Sequence, residues 1–306
     1  MKKMINATHI EGWVYEHKLE AKVSGDTSKN PGTPFIAGTV GIATDDNCMN
    51  VVQVHFTYVT ETTKTGKPNN TYIILKNIID GKIGNVMANG KENAGMVRID
   101  SAIGLNEWYD QNGQFISVKR NEGGFVHQTN ELNDEAQRAT FNTDIVITGC
   151  TRLEEDEEKK LPERLIVKGA IFDFRGALLP VEYTVVHPAA MDYFESLDAS
   201  QSNPTFTRVQ GIQVSQTIVK EIVEDSAFGD AKVKPVKSSY RDYVINWAQA
   251  NSYEWDDEGT LLASELTEAV ANREIHKAEI KKRQDEYQAS KGSAIPAAPA
   301  KGGYNF

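Results

Sequence analysis

Rings set among lysines are where this sequence can do chemistry. Trp13 and Tyr15 fall two apart, on the opposite face of an alternating run from Val14, with Lys18, Lys22 and Lys29 following. Lys64 and Lys67 lie in a Gly/Pro-containing stretch, and Tyr72 comes just after it. Further along, Trp108, Tyr109, Phe115, Lys119, Arg120 and Phe125 form a comparable cluster. An aromatic face exposed on a sheet stacks on a nucleobase for roughly 1–3 kcal/mol, and a lysine beside it neutralises a phosphate. The chemistry on offer is the holding of a single nucleic-acid strand. Against it stands the ordinary use of these residues: strand aromatics mostly fill cores, and loop lysines mostly serve solubility.

Catalytic patterns are absent. The sequence has no Walker-type glycine loop, no Gly-x-Ser-x-Gly elbow and no His-Glu-x-x-His. Its six histidines are scattered without metal-ligand spacing. Cys48 and Cys150 lack a Cys-x-x-Cys partner, so reduced thiols of a cytoplasmic protein are expected, with one disulfide as the alternative. The reading is of a protein that is not an enzyme and carries no cofactor and no metal. A site assembled from residues far apart in the chain is the one enzymatic reading that a single sequence leaves open.

A net charge of -10 on 306 residues counts against a polyanionic partner. The charge is unevenly spread, however. Residues 1–90 hold 9 Lys/Arg against 8 Asp/Glu, while the run Glu154 to Glu158 is wholly acidic and reads as a solvated hairpin tip. Local patches, not net charge, decide whether a phosphate backbone is held. With 40% hydrophobic and 25% charged residues the composition is that of a soluble globular chain. No apolar run reaches the roughly 20 residues that span a bilayer. The basic start Met1-Lys2-Lys3 lacks the apolar core of a secretory signal.

The elements that must position these residues are strands. Residues 10–19, 35–42 and 51–60 are rich in β-branched and aromatic residues and are separated by Gly, Pro, Asn and Asp, which predicts an antiparallel meander. In the third run Val52, Val54, Phe56 and Tyr58 alternate with Gln53, His55 and Thr57, so the large residues, Tyr58 included, are assigned to the core. Gly12, Gly38, Gly169 and Gly211 each interrupt a hydrophobic frame, a costly placement unless a strand must coil around a small barrel. Residues 71–79 read as a buried strand, and further strands are expected over 96–103, 114–120, 142–150, 165–174 and 178–186. A short helix is expected at 188–197, and a long hairpin over 205–247 turned at 225–230. Ala, Leu and Glu dominate residues 261–287, which read as helix, and the Ala/Pro/Gly-rich end at 290–306 has the composition of a disordered tail.

The fold expected is therefore mainly β: tandem OB-like small antiparallel barrels, a long hairpin, a C-terminal helix and a disordered tail. The divisions expected are 1–90 for the first barrel, 95–190 for a second β block, 191–250 for the short helix and hairpin, 251–289 for the helical segment and 290–306 for the tail.

Bent meanders with in-strand glycines, basic hairpin loops and a Pro/Ala/Gly tail ending in Phe306 resemble the OB-fold single-stranded DNA-binding proteins. Arg208-Val-Gln-Gly-Ile212, Ser226-Ala-Phe-Gly229 and Tyr240-Arg-Asp-Tyr243 are similar to phage-type members, more than to the short bacterial form. The resemblance implies single-stranded DNA as partner, RNA not being distinguished, and a role in replication, recombination or repair in a bacteriophage-infected cytoplasm. It also implies replication proteins as partners of the tail. Lys291 to Phe306 contains no Asp or Glu, which departs from the bacterial tail. The alternative is a virion or scaffold protein whose β domains mediate assembly. No membrane partner is expected.

Overall fold

β1 (Asn6–Val23), β2 (Pro34–Ala43) and β3 (Val51–Thr60) form a meander, followed by α1 (Asn70–Ile79), the short α2 (Val86–Asn89), β4 (Met96–Tyr109) and β5 (Phe115–Thr129). In this computed structural model, which describes residues 4–156, 161–224, 232–256 and 260–292, pairing runs β1–β2–β3–β5–β4 and back to β1. The β3–β5 contact is parallel. Five strands thus close a barrel.

The second half repeats the plan with β6 (Ala139–Leu153), β7 (Arg164–Phe172), β8 (Leu178–Val185), α3 (Pro188–Ser196), β9 (Thr205–Glu224) and β10 (Lys232–Ala248). Its order is β6–β7–β8–β10–β9 and back to β6, again with one parallel contact, β8–β10. A five-stranded Greek-key barrel is the OB plan, and each barrel here adds a helix between its third and fourth strands. The mainly β, tandem OB-like fold with a C-terminal helix is what the chain adopts. Closure draws β4 and β5 into the first barrel, which therefore extends to Thr129 and not to residue 90. The second barrel takes in the hairpin that the sequence set apart as 191–250.

The two barrels are joined through their first strands. Asn6–Ile10 of β1 pairs antiparallel with Ala139–Thr143 of β6, which relates the barrels locally by a two-fold and makes one ten-stranded sheet. Further along β1, residues 13–23 turn to β2. Such sharp coiling requires close backbone approach, and the flagged glycines provide it. A Cβ on Gly12, Gly38, Gly169 or Gly211 would collide with the carbonyl oxygen of Ala43, Lys18, Val146 or Val244 respectively.

Each barrel has its own core. Ile10, Val14, Ile36, Val40, Val54, Phe56, Val97 and Ile99 fill the first, closed at one end by Leu75 and Ile78 of α1. Phe141, Ile145, Val167, Tyr183, Val209 and Tyr243 fill the second, closed by Met191 and Phe194 of α3. Residues 71–79, expected as a strand, are helical. A short apolar run has no decisive period, and the Asn69 side chain caps the helix by accepting from Thr71 N at 3.1 Å. Thr71, Leu75 and Ile78 then share the buried face. The helix expected at 188–197 forms as α3.

The C-terminal helix, α4 (Ala263–Gly292), packs back on the first barrel. A third cluster of Val146, Phe172, Phe206, Leu261 and Ala269, with Trp255 against it, anchors the segment leading into α4. The expected disordered tail begins inside this helix at Ser290, and residues 293–306 lie outside those described, as does the expected turn at 225–230. No helix of the described residues is long and apolar enough to cross a membrane.

Candidate nucleic-acid interface

The outer face of β2 and β3 carries an aromatic pair that the strand pattern had hidden. Pairing of β2 with β3 shifts register between Ile36 and Gly38, and this bulge changes the phase of β3 beyond Phe56. Phe56 points into the core as expected, but Tyr58 points out and is 46% exposed. The assignment of Tyr58 to the core is thereby corrected. Its ring meets Phe35 with centroids 4.5 Å apart and planes at 37°.

Register places the lysines of β1 around this pair. Lys22 lies opposite Phe35, and Lys18 lies opposite Thr39 on the same outer face. Thr39 Oγ1 in turn meets His55 Nδ1 at 3.3 Å. Burial, helped by the charge of Arg120 and opposed by Glu122, holds His55 below the usual histidine range, so it is neutral at pH 7. Lys22 is shared with Glu20 at 2.8 Å.

Two loops rise at this end of the barrel. The first, residues 24–33, is tied by Ser24, whose Oγ donates to Asn30 O at 2.5 Å and accepts from Thr33 N at 2.9 Å, and it exposes Lys29. The second, residues 61–69, is closed by a bridge between Thr62 and Pro68 and exposes Lys64 and Lys67. Among the described residues Lys18, Lys29, Lys64 and Lys67 have no acidic partner.

The remaining residues singled out in the sequence sit elsewhere. Trp13 is half-buried, with the Lys91 ammonium 3.9 Å from its ring centroid and the Arg138 guanidinium at 5.5 Å. Tyr15 is the extra residue of a bulge between Val14 and Glu16. Tyr72 is on α1 and packs partly against the core. Arg120 donates to Glu122 and, at 3.3 Å, to Asn106 Oδ1. Phe125 is 72% exposed but stands opposite Asp100, on β4–β5.

Tyr109 and Phe115 do come together, with centroids 5.1 Å apart, but under α4. Gln284 bonds both backbone groups of Tyr109, accepting from its N–H at 3.0 Å. Lys277 and Lys281 lie 5.7 Å and 5.9 Å from the Phe115 and Tyr109 centroids. Trp108 keeps 37% exposure and lines a cleft of about 620 Å³ with Lys281, Gln284 and Gln288. Beneath the helix Arg273 and Glu107 form a buried ion pair.

Lys119 leaves the first barrel altogether. Its ammonium donates to the Glu182 carbonyl oxygen of β8 and faces the rings of Tyr183 and Tyr243 in the second barrel. It enters where β8 and β10 meet by a single register pair, Val244 with Thr184. The two barrels are further fixed by Asn121, which donates to Gln213 Oε1 at 2.8 Å.

Phe35, Tyr58 and Thr39 are the interface residues that the sequence reading missed. The extra residue lies in β3, where Thr57 and Tyr58 together stand against Ala37, while β2 keeps Ile36, Val40 and Ile42 on one buried face through Gly38.

A family model described as YorF matches residues 4–286, nearly all of the chain. No curated protein matches its sequence. Among solved structures, a deletion mutant of the single-stranded DNA binding protein from Thermus aquaticus superimposes with a TM-score of 0.45 at 6% identity. That match covers 84% of this chain and 98% of the other.

Proposed function

We propose that this chain, which belongs to the YorF family, binds single-stranded DNA with little regard to sequence on the outer β2–β3 face of its first barrel. The observation that carries the reading is the outward-facing Phe35–Tyr58 pair, Tyr58 exposed and Phe35 half-buried, set at the end of an OB-like barrel with Lys18, Lys22, Lys29, Lys64 and Lys67 on the adjoining strand and loops. OB barrels hold oligonucleotides on strands two and three and on the loops beside them. Stacking on rings is tolerant of sequence because every base has a π face, and lysines follow the phosphates.

In this reading the site is centred on Phe35 and Tyr58. The β4–β5 turn, also used by OB barrels, adds Trp108, while Tyr109 and Phe115 are covered by α4. Trp13, Tyr72, Lys119 and Arg120 hold the structure. The activity is to keep single strands open during replication, recombination or repair, without catalysis.

Fluorescence anisotropy with labelled oligo-dT and with a duplex of equal length, each at two salt concentrations, tests it. The expected result is tighter binding of the single strand and a loss of affinity with salt, because lysines release condensed counterions. Equal binding of both forms, or none at low salt, overturns the reading.

A further inference from the structure

We infer that only the first barrel accepts the strand, so that one chain covers a single-barrel length of DNA although it contains two barrels of the same plan. The inference rests on the function proposed above and concerns the extent of that same site.

The face of the second barrel equivalent to β2–β3 is the outer face of β7–β8, and its chemistry is different. Register places Ile166 against Thr184, Lys168 against Glu182 and Ala170 against Pro180, so no ring stands where Phe35 and Tyr58 stand in the first barrel. Among the described residues its cations are engaged, and Arg164, in phase with Lys168, donates to Pro162 O at 3.3 Å. Lys168 lies 3.9 Å from Glu182. Arg152, near the end of β6 as Lys22 is near the end of β1, is bound by Glu163 at 3.1 Å, Asp192 at 3.1 Å and Glu195 at 2.7 Å.

The loop that follows reinforces the contrast. Residues 24–33 of the first barrel expose Lys29, whereas the sequence leaving β6 begins Glu154-Glu155-Asp156. Carboxylates at the mouth of a groove repel a phosphate backbone. Finally, the seam between β8 and β10 is occupied by Lys119 from the first barrel. Among the described residues that face carries no exposed ring, Lys168 and Arg152 face carboxylates, and the second barrel serves as the buttress against which the first is held.

The test is a set of stoichiometric titrations with oligo-dT of 8, 16, 24 and 32 nucleotides, read by anisotropy and by mass of the complex. One OB barrel occupies roughly 4–16 nucleotides, so affinity should level off by the 16-mer and the 32-mer should take two chains. Lys168→Ala should leave affinity within twofold, while Phe35→Ala lowers it at least fivefold. Affinity that climbs up to the 32-mer with one chain per oligonucleotide, or a loss on Lys168→Ala equal to that of Lys18→Ala, overturns the inference and leaves the proposed function standing. Absence of binding to every length overturns both.

Discussion

The ammonium of Lys119, carried by the first barrel, lies 4.9 Å from the centroid of the Tyr243 ring in the second. This places a cation in an aromatic seam with the Glu182 carbonyl as acceptor. Burial pushes its pKa down to about 8, against the opposing pull of the Asp242 and Glu182 carboxylates. Attraction to the rings therefore offsets only part of the cost of desolvating the charge.

A pH dependence follows from that lowered value. An unfolded lysine titrates near 10.4, so between pH 8 and about 10 the unfolded chain binds more protons at this residue than the folded one. The folded state is then favoured progressively as pH rises through that window, and the penalty is fully present below it. Lys119→Met should remove this slope. Urea unfolding of both proteins at pH 7.5 and 9.5 checks it, the difference between them cancelling the opposing titration of Cys48 and Cys150, whose thiols burial pushes up. Equal slopes would show a solvated ammonium. Single-strand affinity should not change in this variant.

Phe35 and Tyr58 give the most direct test of the interface. Each ring that stacks on a base should cost roughly 1–3 kcal/mol of binding when truncated to Ala. The two losses should not add, because the rings touch each other. Tyr58→Ala should melt within a few degrees of the parent protein, since much of its ring already faces water. A large fall in Tm with unchanged affinity would return Tyr58 to a structural role.

The buried pair beneath α4 makes a stability prediction. Arg273 and Glu107 are both 6% exposed, and Arg273 Nε has no partner among the described residues. Removing one member alone, as in Arg273→Met, should cost about 3–5 kcal/mol because it strands a buried charge. The double change Arg273→Met with Glu107→Leu should recover most of that. Burial raises the Glu107 pKa, but hydrogen bonds from Arg273 and Ser117 and the nearby positive charge outweigh it, and the net shift is downward. Its contribution is therefore present above the unfolded value of about 4.3 and is lost as pH falls through the lower folded value. Proteolysis of α4 at pH 7 and below pH 4 reports the release directly.

What was legible in the sequence was local. Four glycines in hydrophobic frames disclosed coiled barrels, because the absence of a Cβ is a requirement of the backbone approach itself. The runs 71–79 and 51–60 misled for two different reasons. The first is too short for its period to discriminate helix from strand, and an Asn cap decided it. In the second, one extra residue of β3 opposite Ala37 reversed the direction of Tyr58, and strict alternation does not anticipate a bulge within the run. The covering of Tyr109 by Gln284 joins residues 175 apart, and the insertion of Lys119 near Tyr243 joins two barrels. Neither relationship leaves a mark on the local pattern.

Trp13 separates a ring used for stacking from a ring used for structure. It lies on β1 opposite Ala43, whereas Lys22 lies opposite Phe35 nine residues later, roughly 30 Å away along the strand. Its ring is met by Lys91, whose ammonium also donates to the Asp46 carbonyl oxygen, and by Arg138, which reaches Asp46 Oδ1 at 2.6 Å. These contacts tie the segment after α2 and the segment before β6 to the first barrel. Trp13→Ala should then lower stability by roughly 2 kcal/mol, about half the cost of a fully buried Trp, with oligo-dT affinity unchanged. Added oligo-dT should quench the emission of Trp108 and leave that of Trp13, so the wild type and Trp13→Ala should lose a similar absolute signal. Melting by circular dichroism and a fluorescence titration on the same samples decide the matter. A loss of affinity in Trp13→Ala at unchanged Tm would place this ring on the DNA and move the site away from Phe35 and Tyr58.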